Sequence, residues 1–161
     1  MLEGAYLALL LKSGGDGPAW HGPAFAPLLE GLTAQQAAAH PIAGGHSIWE
    51  VVLHVAAWRG EVARRLVSAE AAEPPDGDWP EVSVVSASAW SAAKEHLSAT
   101  LTATARVLEA MSEKNLQTRV RGESSAGADV SLETTVLGLL QHDAYHGGQI
   151  ALLRRILGLP A

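Results

Sequence analysis

The chain has 161 residues, enough for one domain with a substantial core, and no cysteine, which excludes disulfides and every thiolate nucleophile or thiolate metal site. A net charge of −6, only 17% charged residues and no basic cluster argue against a nucleic-acid-binding or disordered protein. Apolar residues make up 48%, and any metal here must be held by nitrogen and oxygen.

Alanine, leucine and valine are abundant and β-branched alternation is scarce, so the pattern predicts an all-α fold. Leu2 to Lys12 reads as a short N-terminal helix, stopped by Ser13-Gly14-Gly15-Asp16-Gly17-Pro18. Its apolar run, Ala5 to Leu11, is too short to span a membrane and lacks the basic lead of a signal peptide, so a soluble cytoplasmic protein is expected. Pro23 suits the first position of a second helix, where its missing N–H costs least. Phe25, Leu28, Leu29 and Leu32 carry that helix, which resumes from Thr33 to His40 and ends at Pro41 and Gly44-Gly45. Ser47-Ile48-Trp49-Glu50 has a capping-box signature and opens a helix to about Ser68, with Val51, Val55, Trp58, Val62 and Leu66 on its apolar face. Breakers between Ala72 and Val85 predict a loop. A helix over roughly Ala87 to Met111 follows, striped by Trp90, Ala93, Leu97, Leu101, Thr104 and Leu108. Asn115 to Asp129 is turn-rich with room for a short hairpin, and a last helix runs from near Ser131 to Gly158. Four longer helices predict a single-domain four-helix bundle over 1–161, with the short N-terminal helix as an extra; bundle cores are common places for metal sites.

The last helix holds the most informative stretch, His142-Asp143-Ala144-Tyr145-His146-Gly147-Gly148-Gln149-Ile150. Residues four apart on a helix are neighbours, so His142 and His146 can grip one ion from the same side. Leu139, His142, His146, Gln149, Leu153 and Ile156 share a face by the 3.6-residue period, which puts both histidines where core leucines are expected. Burying imidazoles without partners is costly, and coordinating a cation offsets that cost. His54, on the apolar helix 48–68, supplies a third nitrogen. Three protein ligands plus a water is the arrangement of an open catalytic site, and imidazole suits zinc, nickel, copper and iron alike. Glu50, one turn before His54, is a candidate fourth ligand, hydrogen-bond partner of a ligating residue, general base or capping partner. Asp143 is either an acceptor for an imidazole N–H or a solvated carboxylate. His46 and His21 could line a pocket mouth or lie on the surface, while His96 reads as solvated. Tyr145 and the five tryptophans, Trp20, Trp49, Trp58, Trp79 and Trp90, read as packing.

With these residues laid out, the chain resembles the DinB/YfiT-like family of metal-binding four-helix bundles. The resemblance rests on Trp20-His21-Gly22-Pro23, on His46-Ser47-Ile48-Trp49-Glu50 with His54 and Trp58, on Asp78-Trp79-Pro80, and on the His142–Ile150 stretch. It implies the metal triad His54, His142 and His146, an up-down bundle with an unusual crossover, a zinc or nickel ion, and a homodimer. Ala56, Ala57 and Ala63 would permit close approach of a second copy. The better-understood relatives are thiol S-transferases acting with bacillithiol or mycothiol, and metal-dependent isomerases or hydrolases.

Two functions follow as expectations. One is a metal-dependent enzyme, either a hydrolase using a metal-activated water or a transferase binding a low-molecular-weight thiol as thiolate, with Glu50 or Asp143 managing protons or orientation. The other is a non-enzymatic, stress-related protein that binds a metal or small molecule. A small-molecule partner is expected, and neither nucleic acid nor membrane.

Overall fold

The computed structural model describes residues 3–125 and 128–160, and most of its helices begin where a short hydroxyl side chain can cap them. α1 spans Gly4–Gly15, α2 Phe25–Leu29 and α3 Ala34–Ala38. α4 follows at Ile48–Ser68, α5 at Ala87–Glu109 and α6 at Glu113–Leu116. The antiparallel strands β1 (Arg119–Ser125) and β2 (Ala128–Ser131) form the expected hairpin and lead into α7, Leu132–Ile156. Thr33, Ser47, Ser86, Ser112 and Ser131 each accept the backbone N–H three residues on, satisfying one donor of a helix start. Leu2, Ala126 and Gly127, assigned above to the first helix and to the hairpin connection, lie outside the described residues.

α1 packs on α5 and α7, and α4 packs on the same two helices. The four long helices thus form a ring in which α1 faces α4, and α5 faces α7, across the diagonals. Their apolar side chains gather in two clusters, one at each end. The first takes Val51, Val52 and Val55 from α4, Trp90, Ala93 and Leu97 from α5, and Ile150 and Leu153 from α7. The second takes Leu7 and Leu11 from α1, Val62 and Leu66 from α4, Leu101 and Leu108 from α5, and Val136 and Leu139 from α7. α4 and α5 therefore run in the same direction and α7 in the opposite one, which is where the crossover lies. The 69–86 connection has to return along the bundle, since 21 residues of α4 rise about 30 Å.

That return carries the loop past the middle of α4. Its start is pinned by the buried Glu61 carboxylate, which accepts from Arg64, Arg65 and the Ala72 backbone N–H. Burial pulls the Glu61 pKa up, but these donors outweigh it and hold the group below the usual carboxylate range. Backbone bonds between Ala69, Ala71 and Arg121 fasten the same stretch to β1.

The all-α bundle matches the expectation, but two helices exchange roles. The N-terminal helix is no extra: α1 is the fourth wall of the bundle, with Leu7, Ala8 and Leu11 in the core. The region expected as a helix from Pro23 is instead two five-residue pieces, α2 and α3. Glu30 leaves the helix with ψ 140°, Gly31 takes φ +70°, and Thr33 starts a new cap, so no continuous helix can form there. The inward stripe of α7 also differs at its end. Ile150, Leu153 and Arg154 face inward while Ile156 is exposed. Trp20 and Tyr145 are exposed rather than packed, and Ala56 is buried on the inward face of α4 and unavailable to a second copy.

Candidate metal centre

Between the two apolar clusters lies a polar layer built from the middle of α4 and α7. His54 and His146 are buried and His142 is partly so. One ligand nitrogen from each falls within 4.8 Å of the other two. His54 Nε2 and His142 Nε2 are 2.9 Å apart, and the His142 and His146 rings lie 4.4 Å apart, nearly edge to face.

Acceptors on the far side of the rings decide which nitrogens face inward. His54 Nδ1 lies 2.6 Å from the Asp78 backbone carbonyl, which can only accept, so the proton of the neutral ring sits on Nδ1 and the Nε2 lone pair is free. His146 Nδ1 lies 2.6 Å from the Gln149 side-chain oxygen with the same consequence. His142 Nδ1 is buried without a hydrogen-bond partner, as is Asp143 Oδ1, 3.7 Å away. Asp143 itself is buried and held through Oδ2, which receives the Arg59 Nε–H at 2.9 Å and lies 2.8 Å from Arg59 Nη2.

Burial holds His54 below the usual imidazole pKa despite the Asp78 carbonyl, with His142 adding to the depression. Burial and the neighbouring His142 push His146 down to about 4. Both rings are therefore neutral at pH 7, the form that binds metal. A trio of converging imidazoles, with two rings fixed from behind and one left with an orphaned nitrogen, fits a cation held by three nitrogens.

Trp79 clamps the site from the 69–86 loop. Its ring stacks on His54 at 3.9 Å and on His46 at 3.5 Å. The Asp78 carboxylate accepts from Trp58 Nε1 at 2.7 Å, which fixes the loop against α4. His46, outside the helix start as expected, thus reaches the site through Trp79. His21 and His96 are exposed.

Glu50 is occupied elsewhere. Its carboxylate accepts from the Ser47 backbone N–H at 2.7 Å, completing the capping box, and lies 2.8 Å from His40 Nε2. Partial burial raises its pKa, but the Ser47 backbone N–H, the His40 side chain and the Ser47 hydroxyl together hold it low. It does not belong to the cluster of converging ligand atoms.

A cavity of about 390 Å³ opens beside the histidines, lined by His54 and His142 and walled by Trp58, Val62, Gly138 and Leu139. A larger part of that wall is apolar, as in sites that hold small molecules.

Asp78, Trp79, Gln149 and Arg59 complete this centre, and none stood out as a functional residue in the sequence. Asp78 and Trp79 sit among loop breakers, and Asp78 meets His54 at its closest through its backbone carbonyl. Gln149 reads as one more position of the α7 stripe. Arg59 carried a usable signal: a charge next to Trp58 on a helix face otherwise apolar, matched by Asp143 on α7.

The fold and the site define an all-α bundle with a three-histidine cluster able to hold a metal ion. A family model of the DinB superfamily matches residues 19–150, and the chain belongs to that superfamily. No curated protein and no solved structure matches it. Among the described residues no helix is long and apolar enough to cross a membrane.

Proposed function

We propose that the protein is a metal-dependent enzyme in which His54, His142 and His146 hold one divalent ion, zinc or nickel, and a small molecule enters through the adjoining cavity. The observation that carries this reading is the cavity's position. His54 and His142 line its wall, so one side of the three-nitrogen cluster faces space rather than a fourth protein ligand. Structural zinc sites close that position with protein, whereas catalytic sites leave it to water or substrate. A bound ion there would supply either an activated water for hydrolysis or a stabilised thiolate for S-transfer.

The chain's own groups have distinct parts in this reading. Asp78 and Gln149 orient two imidazoles from behind, Trp79 covers His54, and the apolar cavity wall excludes bulk water from the substrate. Glu50 serves the α4 cap, so the reaction does not depend on its carboxylate. Superfamily membership supports metal binding, and fold alone does not choose the reaction. A homodimer fits the apolar side chains exposed along α7, Tyr145, Leu152 and Ile156.

The test is a screen of zinc-loaded and nickel-loaded protein against thiol conjugation and ester or amide hydrolysis, with His146→Ala as control. Turnover lost in His146→Ala supports the enzyme. Stoichiometric metal with no turnover in either class favours the alternative, a metal or small-molecule binding protein of the stress-related kind.

A further inference from the structure

Arg59 and Asp143 form a charge pair at the centre of the molecule, between the two apolar clusters. Arg59 is 1% exposed and Asp143 4%. The guanidinium lies over the Phe25 ring at 5.0 Å and reaches the Leu97 carbonyl at 3.4 Å. Taking such a pair out of water is expensive, and well-packed apolar residues in its place are often neutral or stabilising. Stability alone is therefore a poor reason for it.

The pair's arrangement is lopsided. Both close Arg59 contacts fall on Asp143 Oδ2, the one from Nε as a hydrogen bond and the one from Nη2 as an ion contact without hydrogen-bond geometry, and Oδ1 is left buried with no hydrogen-bond partner. The nearest described ring nitrogen is the equally unpartnered His142 Nδ1, 3.7 Å away and beyond hydrogen-bond range. Proton placement explains the gap. The 2.9 Å contact between His54 Nε2 and His142 Nε2 needs one hydrogen between them. His54 commits its own to Nδ1, facing the Asp78 carbonyl. The shared hydrogen therefore belongs to His142 Nε2, and its Nδ1 is a bare acceptor facing another acceptor.

We propose that Arg59 and Asp143 are positioning residues that select the ligating tautomer of His142. When a cation takes the place of the shared hydrogen, that hydrogen leaves Nε2 and, by exchange with water, the ring's single N–H sits on Nδ1 and points at Asp143 Oδ1. Both orphaned atoms gain a partner in one step, and Arg59 holds the carboxylate in place through Oδ2. His142 then has the rear acceptor that Asp78 gives His54 and Gln149 gives His146. This inference rests on the metal reading above.

Two measurements test it. In protein with labelled imidazole nitrogens, nitrogen-15 shifts should show His142 protonated at Nε2 without metal and at Nδ1 with zinc. An Nε2–H ring in the zinc-loaded protein would overturn the proposal. The second measurement is zinc affinity by chelator competition in the paired variant Arg59→Met with Asp143→Leu, which removes both charges and leaves neither one unpaired. Thermal unfolding of its metal-free form should stay near wild type, while zinc affinity falls roughly ten- to hundredfold, as for loss of other groups behind metal-bound histidines. Affinity within about twofold of wild type would overturn the proposal. Wild-type protein that binds neither zinc nor nickel would overturn the metal reading along with it, so the two failures are told apart.

Discussion

The metal-free protein should lose stability as the pH falls from 7 to 5, and His146 sets much of the loss. Its imidazole is buried, with a pKa pushed from 6.5 down to about 4. In the unfolded chain the same ring titrates at its ordinary value. Between these two values the unfolded state binds more protons, so stability is full above pH 6.5 and declines as the pH falls toward 4. At pH 5 the unfolded ring is almost fully protonated and the folded one almost fully neutral. The difference is about 2 kcal/mol relative to pH 7, from this one group. The depressed pKa of His54 acts in the same direction. Urea denaturation at both pH values reads the effect directly. With an m-value near ~2 kcal/mol/M, the midpoint should drop by about 1 M. His146→Leu keeps an apolar group of similar size and removes the titration, so its midpoint should move clearly less. Equal pH slopes in wild type and His146→Leu would refute the reasoning.

Other outcomes follow from the same geometry. Glu50→Gln should leave zinc content and any turnover nearly unchanged, because glutamine still accepts the Ser47 N–H; a large loss of turnover with metal retained would make Glu50 a working part of the site. Gly138→Ala should stabilise α7 by roughly 0.5–1 kcal/mol in thermal unfolding, since a Cβ there meets no atom within 4 Å and glycine is a poor helix former. Gly138→Leu should keep the metal and block the cavity, which is read as unchanged zinc stoichiometry with reduced ligand binding or turnover.

How far the sequence could be read depended on whether a residue acts through its side-chain period or through its backbone. The i,i+4 spacing of His142 and His146 and the apolar flanks of His54 were enough to place all three on inward faces. α5 followed its stripe from Trp90 to Leu108, each position buried. Periodicity could not tell that α1 would complete the bundle, because a short apolar helix looks the same as a bundle wall or as an appendage. It also overran the Glu30–Gly31 break, where backbone conformation rather than hydrophobicity ends α2. The groups behind the histidines were hidden for a related reason. The Asp78 carbonyl reaches His54 only because the 69–86 loop returns along the bundle, and that follows from α4 and α5 running the same way. Asp143 was left open between orienting an imidazole and facing water; its partner Arg59 lies 84 residues away, and the burial of both follows from the packing of α4 on α7.

The central claim, a metal held by three histidines, is tested most directly by elemental analysis after reconstitution and desalting. Wild-type protein loaded separately with zinc and nickel should retain about one ion per chain with at least one of them, and His146→Ala should retain far less. Wild-type protein that keeps neither metal, or a His146→Ala variant that keeps as much as wild type, would contradict it.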